Sequence, residues 1–207
     1  MKLVLCEGKG DKKVISALCE ALKINGLQAE DYGGRDKLLE YMVGLPKRPE
    51  FVLRQVESVG VTQDADQDGQ AAWDGVRDAV KAAFGVVLAA RGKPAGAQPR
   101  VAGFIVARPG EDRGMLEDLC LAAVSQQPGY SCLEDYFRCL TEKTGKQTYH
   151  PKARFRAWMA SQSDYELHAG LAAEEGCVPF THPVFDPLRD FLRVCEHGHC
   201  HGGKDML

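Results

Sequence analysis

Apolar positions along this chain switch between tight runs and helical spacing. Residues 2–6 (Lys-Leu-Val-Leu-Cys) form a short run that reads as a buried strand. Val14, Ile15, Leu18, Cys19 and Leu22 then fall on one helical face, with Asp11 placed to cap that helix. The Asn25-Gly26 pair ends it, and residues 27–32 read as a second strand. Gly33-Gly34 turns the chain into a helix with Leu38, Leu39, Met42 and Val43 inward, closed by Pro46 and Pro49. Residues 51–61, with Val52, Val56, Val59 and Val61, read as strand. A long helix is predicted over 71–90, with Val76, Val80, Ala83 and Val87 on its inner face. A Gly/Pro-rich stretch, 92–99, leads to a fourth strand at 101–107.

Strands alternating with helices predict an α/β fold. The expected architecture is a mostly parallel central sheet of about four strands with helices on both faces. After Met115 the pattern is helical, with Met115, Leu116, Leu119, Cys120, Ala123 and Val124 on one face. Further helices are predicted over 133–143, 152–160 and 187–194. The expected organisation is an α/β core at 1–125, a helical extension packed on it at 126–194, and a flexible Cys/His-rich tail at 195–207.

The chemistry concentrates at the strand ends. Val61-Thr62-Gln63-Asp64-Ala65-Asp66-Gln67-Asp68-Gly69 sets three carboxylates at alternate positions after an apolar run. Cys6-Glu7-Gly8-Lys9-Gly10-Asp11 adds two more acids after the first strand. Parallel α/β sheets bind ligands outside the carboxyl ends of their strands, where Glu7, Asp11, Asp64 and Asp66 all fall. Arg108-Pro109-Gly110-Glu111-Asp112 falls at the same edge. Carboxylate oxygens are the ligands of hard divalent cations, so a metal site for phosphoryl chemistry is the first expectation. Converging acids repel unless a cation neutralises them, and Glu7 at the exit of a buried strand wants a partner. The plain alternative for Asp64, Asp66 and Asp68 is a polar turn that caps the next helix.

Sharper motifs fail. The glycines at 8 and 10 make neither a phosphate loop nor a dinucleotide fingerprint, since position 13 is Lys. An EF-hand calcium loop opening at Asp64 needs Glu at its twelfth position, which here is Gly75.

Net charge is −3 over 207 residues, which excludes a globally basic nucleic-acid binder and leaves local patches or metal ions for any such contact. No stretch is long enough to cross a membrane, and the first residues do not make a signal peptide. The eight cysteines include no Cys-x-x-Cys pair, so reduced thiols in a cytoplasmic protein are expected. The run Cys195-Glu196-His197-Gly198-His199-Cys200-His201 offers soft ligands without a second pair nearby, and is read as an adventitious polar run rather than a zinc site.

Glu-Gly-x-x-Asp after the first strand, then Asp-x-Asp after the third about fifty residues on, resembles the Toprim domain of topoisomerases, primases and OLD-type nucleases. The resemblance covers roughly residues 1–125. It implies that Glu7 serves acid/base chemistry or joins the metal site, and that Asp64 and Asp66 hold one or two Mg²⁺ or Mn²⁺ ions. It implies a further ligand at Asp11, a third acid at Asp68, and an acid after the fourth strand, Glu117, with Asp118 as its substitute. It also implies a catalytic lysine, for which Lys152 is the candidate within the basic group Lys143, Lys146, Lys152, Arg154 and Arg156. Solvated first-turn acids and a solvated basic helix face are the plain alternatives.

No zinc ribbon, nucleophilic-tyrosine context or ATPase motif accompanies these residues. Tyr130, Tyr136, Tyr149 and Tyr165 stand without supporting motifs. The expected function is a metal-dependent nuclease acting on DNA or RNA, with a separate ATPase as a partner. A non-catalytic Toprim-like module that binds nucleic acid or protein is the alternative. A phosphatase using Asp64 as nucleophile is a third.

Overall fold

The computed structural model describes residues 1–146, 150–162 and 177–197. Four strands form one parallel sheet: β1 (Lys2–Cys6), β2 (Leu27–Asp31), β3 (Ser58–Asp64) and β4 (Arg100–Val106), in the order β2-β1-β3-β4. The architecture is the expected α/β arrangement: a four-stranded parallel sheet, helices on both faces and a C-terminal helix. Strands covered on both faces read as continuous apolar runs, and β3 is buried at every position.

Helices α1 (Lys9–Ala21), α5 (Leu116–Val124), α6 (Tyr130–Thr144), α7 (Pro151–Ala160) and α8 (Asp186–His197) lie on one side of the sheet. Their core joins Val4, Ile15 and Leu18 to Phe155, Trp158, Phe185 and Phe191. Helices α2 (Leu38–Gly44), α3 (Pro49–Val52) and α4 (Gly69–Phe84) cover the other side, around Leu5, Met42, Val61, Trp73 and Val76.

The C-terminal helix is part of the sheet's cover. Helix α8 packs on β1, β3 and β4. The Ser58 hydroxyl donates to the Cys195 carbonyl at 2.6 Å. Gly60 permits this close crossing, since a Cβ there would stand 2.6 Å from Cys195 Sγ and 3.0 Å from Phe191. On the opposite face Gly103 does the same for α4, where a Cβ would meet Trp73 and Val76 at 2.8 Å.

Several expectations need correction. Residues 49–52 form the short helix α3, because Pro49 suits a first helical position, and β3 starts only at Ser58. Helix α4 stops at Gly85, which takes a left-handed φ of 67° and donates its N–H to Lys81 O at 2.9 Å. Val87 lies beyond it and is exposed. Leu39 and Val43 are exposed rather than inward. Helix α8 runs through Cys195 to His197, and the Cys195 thiol is core rather than tail. Tyr149, Tyr165, His199, Cys200 and His201 lie outside the described residues. Among the described residues no helix is long and apolar enough to cross a membrane.

Candidate metal centre

The carboxyl ends of β1 and β3 sit side by side, and each delivers an acid. Glu7 follows β1 directly and Asp64 is the last residue of β3. Asp11 stands in the first turn of α1, one turn after Glu7. It is not the cap residue predicted from sequence: Gly8 is, and its N–H donates to Asp11 Oδ2 at 2.9 Å. That bond points the carboxylate back toward the end of the sheet.

The loop after β3 is tied to the entry of α5. Asp66 and Gly114 exchange backbone hydrogen bonds of 2.8 Å in each direction, and the Leu116 N–H donates to Asp64 Oδ1 at 3.0 Å. Glu117, the next residue, is thereby swung in beside Asp64. Asp11, Asp64 and Glu117 each offer an oxygen, and the three oxygens lie within 4.8 Å of one another. Oxygens on opposite sides of one hard cation stand about 4–5 Å apart, twice a bond length of about 2.1–2.5 Å, so the spacing fits a shared ion. Asp11 and Asp64, with Glu7, Ile15, Thr62, Gln63, Val106 and Leu116, line a tight recess.

Burial makes this set of charges costly. Asp64 is 4 % exposed, and burial, reinforced by Asp11, Glu117 and Glu7, pushes its carboxyl up to about 8. Burial likewise raises Glu7, Asp11 and Glu117, with Asp66, Asp31 and Asp11 respectively among the adding charges. Glu7 Oε2 and Glu117 Oε2 are buried without a hydrogen-bond partner. Unpaired buried carboxylate oxygens beside two further acids are what a cation would satisfy. The donor set is all oxygen, which suits Mg²⁺ or Mn²⁺ over zinc.

Lys152 opens α7 and reaches this centre electrostatically. Burial pulls its ammonium down, but Glu117, Asp11, Asp64 and Glu7 outweigh that and hold it above the ordinary lysine value. It in turn lowers Asp11, Asp64, Glu117 and Glu7. Within its basic group Arg154 goes elsewhere, pairing with Glu134 and covering the Phe137 ring.

Three predicted ligands fall outside the three-oxygen set: Glu7, which lines the recess beside it, and Asp68 and Asp66, which are engaged elsewhere. Asp68 is the cap of α4 and accepts the Ala71 N–H at 2.9 Å, the plain role weighed from sequence. Asp66, at a left-handed φ of 50°, pairs with Arg35 at 3.1 Å. Asp118 is not a substitute for Glu117: it accepts the Met115 N–H at 3.0 Å and Arg108 Nε at 2.9 Å. Arg35 itself was not anticipated. Its guanidinium donates to the Asp64 carbonyl as well as pairing with Asp66, and its charge lowers Glu7.

A family model described as "Protein of unknown function (DUF3226)" matches residues 1–196. The chain belongs to the DUF3226 family. The DUF3226 match runs through the α/β core and the helical part alike, ending inside α8. Comparison of this DUF3226 chain with curated proteins and with solved structures found no match.

Proposed function

We propose that this protein is a divalent-metal-dependent phosphotransfer enzyme, and that its reaction is cleavage of nucleic-acid phosphodiesters. The observation that carries the reading is the convergence of Asp11, Asp64 and Glu117 within 4.8 Å, with a buried oxygen of Glu117 left unpaired. Asp11, Asp64 and Glu117 would hold a first Mg²⁺ or Mn²⁺, and Glu7 with Asp66 would hold a second. A bound cation supplies Lewis-acid charge and a more acidic water.

The chain's own groups supply the rest. Glu7, raised by burial and by Asp66, is suited to take a proton. Lys152, kept fully charged by the four acids around it, is suited to balance charge that develops on a phosphoryl oxygen. The resemblance to Toprim nucleases supports the same assignment of Glu7, Asp11, Asp64, Asp66, Glu117 and Lys152. Asp68 is left with the helix cap.

A non-catalytic binding module is the competing reading. Cleavage of supercoiled plasmid, linear DNA and RNA with Mn²⁺ or Mg²⁺, wild type against Asp64→Asn with Asp66→Asn, separates them. Metal-dependent cleavage lost in the double variant is the expected result. An unchanged cleavage rate in that variant removes the assignment, and intact substrate in every lane favours the binding module.

A further inference from the structure

Arg35 is a charged group beside the acidic row that neither acid pattern nor basic cluster explains. It enters just past β2, on the side of the sheet away from α5. The Gly33-Gly34 turn, at φ of 86° and 114°, brings the chain round, and the Gly34 N–H donates to the Glu7 carbonyl at 2.8 Å. The turn is therefore fastened to the end of β1, and Arg35 rises from it beside Glu7.

One edge of the guanidinium is committed. Nη2 donates to the Asp64 carbonyl and lies 3.1 Å from Asp66 Oδ2. Its other donors are not: Nε is buried without a partner, and Nη1 has none among the described residues. The side chain is 35 % exposed, and with Nη2 held and Nε buried, Nη1 is the donor left for an incoming group. A guanidinium N–H carries positive charge to a phosphate oxygen, and one already held in place loses little freedom on binding.

Two cations thus serve opposite ends of one row of acids. Lys152 acts most strongly on Glu117, on the β4 side. Arg35 acts on Glu7 and bonds Asp66, on the β2 side. We propose that Arg35 is a substrate-positioning residue that binds a phosphate of the nucleic-acid substrate next to the acidic centre, across it from Lys152. This rests on the metal-dependent phosphodiester reading. It adds that the substrate path crosses the β2 side of the sheet edge, over the Gly33-Gly34 turn.

The test uses the full chain as wild type, Arg35→Gln, Arg35→Lys and Asp64→Asn. Mn²⁺ binding is followed by calorimetry. Binding of a fluorescein-labelled single-stranded oligonucleotide is followed by anisotropy, with Ca²⁺ in place of Mn²⁺ to hold back turnover. Inorganic phosphate serves as competitor. The expected result is that Arg35→Gln still binds Mn²⁺ and loses about tenfold or more in oligonucleotide affinity, with part of the loss restored in Arg35→Lys. Competition by phosphate should weaken in Arg35→Gln. Unchanged oligonucleotide binding in Arg35→Gln overturns the proposal and leaves the metal centre standing. Loss of Mn²⁺ binding in Arg35→Gln also overturns it, because Arg35 then only shapes the acidic loop. Wild type that binds no Mn²⁺ removes the metal reading itself.

Discussion

The Asp64 carboxylate accepts the Leu116 N–H at 3.0 Å, and this bond joins the end of β3 to the first turn of α5. It does two things at once. It stabilises one oxygen of a buried carboxylate and it brings Glu117 to bear on Asp64, which raises the cost of charging either. The centre is thus built around an acid that resists ionisation until a positive charge arrives.

Metal binding should therefore release a proton. With the Asp64 carboxyl raised to about 8, the cation competes with a proton at neutral pH. Mn²⁺ affinity measured by calorimetry is expected to climb by about tenfold per pH unit between pH 6 and 7, then level off above pH 8. Repeating the titration in buffers of different ionisation enthalpy should reveal the proton. A flat profile would contradict the placement of Asp64 at the ion.

The same raised carboxyl sets how the metal-free fold responds to pH. In the unfolded chain Asp64 titrates near its ordinary 3.8, whereas in the fold it holds its proton to about 8. Between those values the folded state binds more protons, so stability falls as pH rises. Its contribution is full below the unfolded value and is lost as pH passes through about 8. Glu7, Asp11 and Glu117 are shifted in the same direction and add to the slope. Thermal unfolding in EDTA should show a Tm that declines from pH 5 to pH 8. Asp64→Asn should flatten the decline, and excess Mn²⁺ should reverse it.

Asp68 separates capping from ligation. Its side chain accepts the Ala71 N–H at 2.9 Å, so Asp68→Ala should cost about 1 kcal/mol of stability. Mn²⁺ affinity should not change. Denaturant unfolding and calorimetry on one sample measure both. A drop in Mn²⁺ affinity would restore Asp68 to the ligand set.

Much of the site is legible in sequence because parallel sheets place strand ends together, which joins Glu7 and Asp64. Glu117 and Lys152 both came from the resemblance and not from any local pattern, since a first-turn acid and a basic helix face read equally well as solvated. Arg35 was not legible, because the carbonyl it binds lies 29 residues on and a single arginine after two glycines carries no signature. Asp11 was legible as an acid at the start of α1, although the cap position itself is Gly8 and Asp11 accepts its N–H from three residues on, two arrangements that look alike in sequence. The strand assigned to 51–61 failed where Pro49 favours a helical start and Val52 is left 66 % exposed. Helix α8's seat on the sheet was hidden in Gly60, whose meaning depends on a residue far along the chain.

Gly60 and Gly75 should respond oppositely to the same substitution. At Gly60 an added Cβ would stand 2.6 Å from Cys195 Sγ, 3.0 Å from Phe191 and 3.3 Å from Val4, all in packed core. Overpacking of this kind costs about 1–3 kcal/mol, and here it would push α8 off β3 and strain the Ser58–Cys195 hydrogen bond. Gly75 lies inside α4 with nothing within 4 Å of its Cβ position, so alanine there only removes backbone freedom from the unfolded chain. Gly75→Ala should stabilise by about 0.5–1 kcal/mol. Urea unfolding of both variants checks the pair. If Gly60→Ala is neutral, α8 is not seated on the sheet as described, and the α8 residues Phe191, Leu192 and Cys195 lose their place in the core.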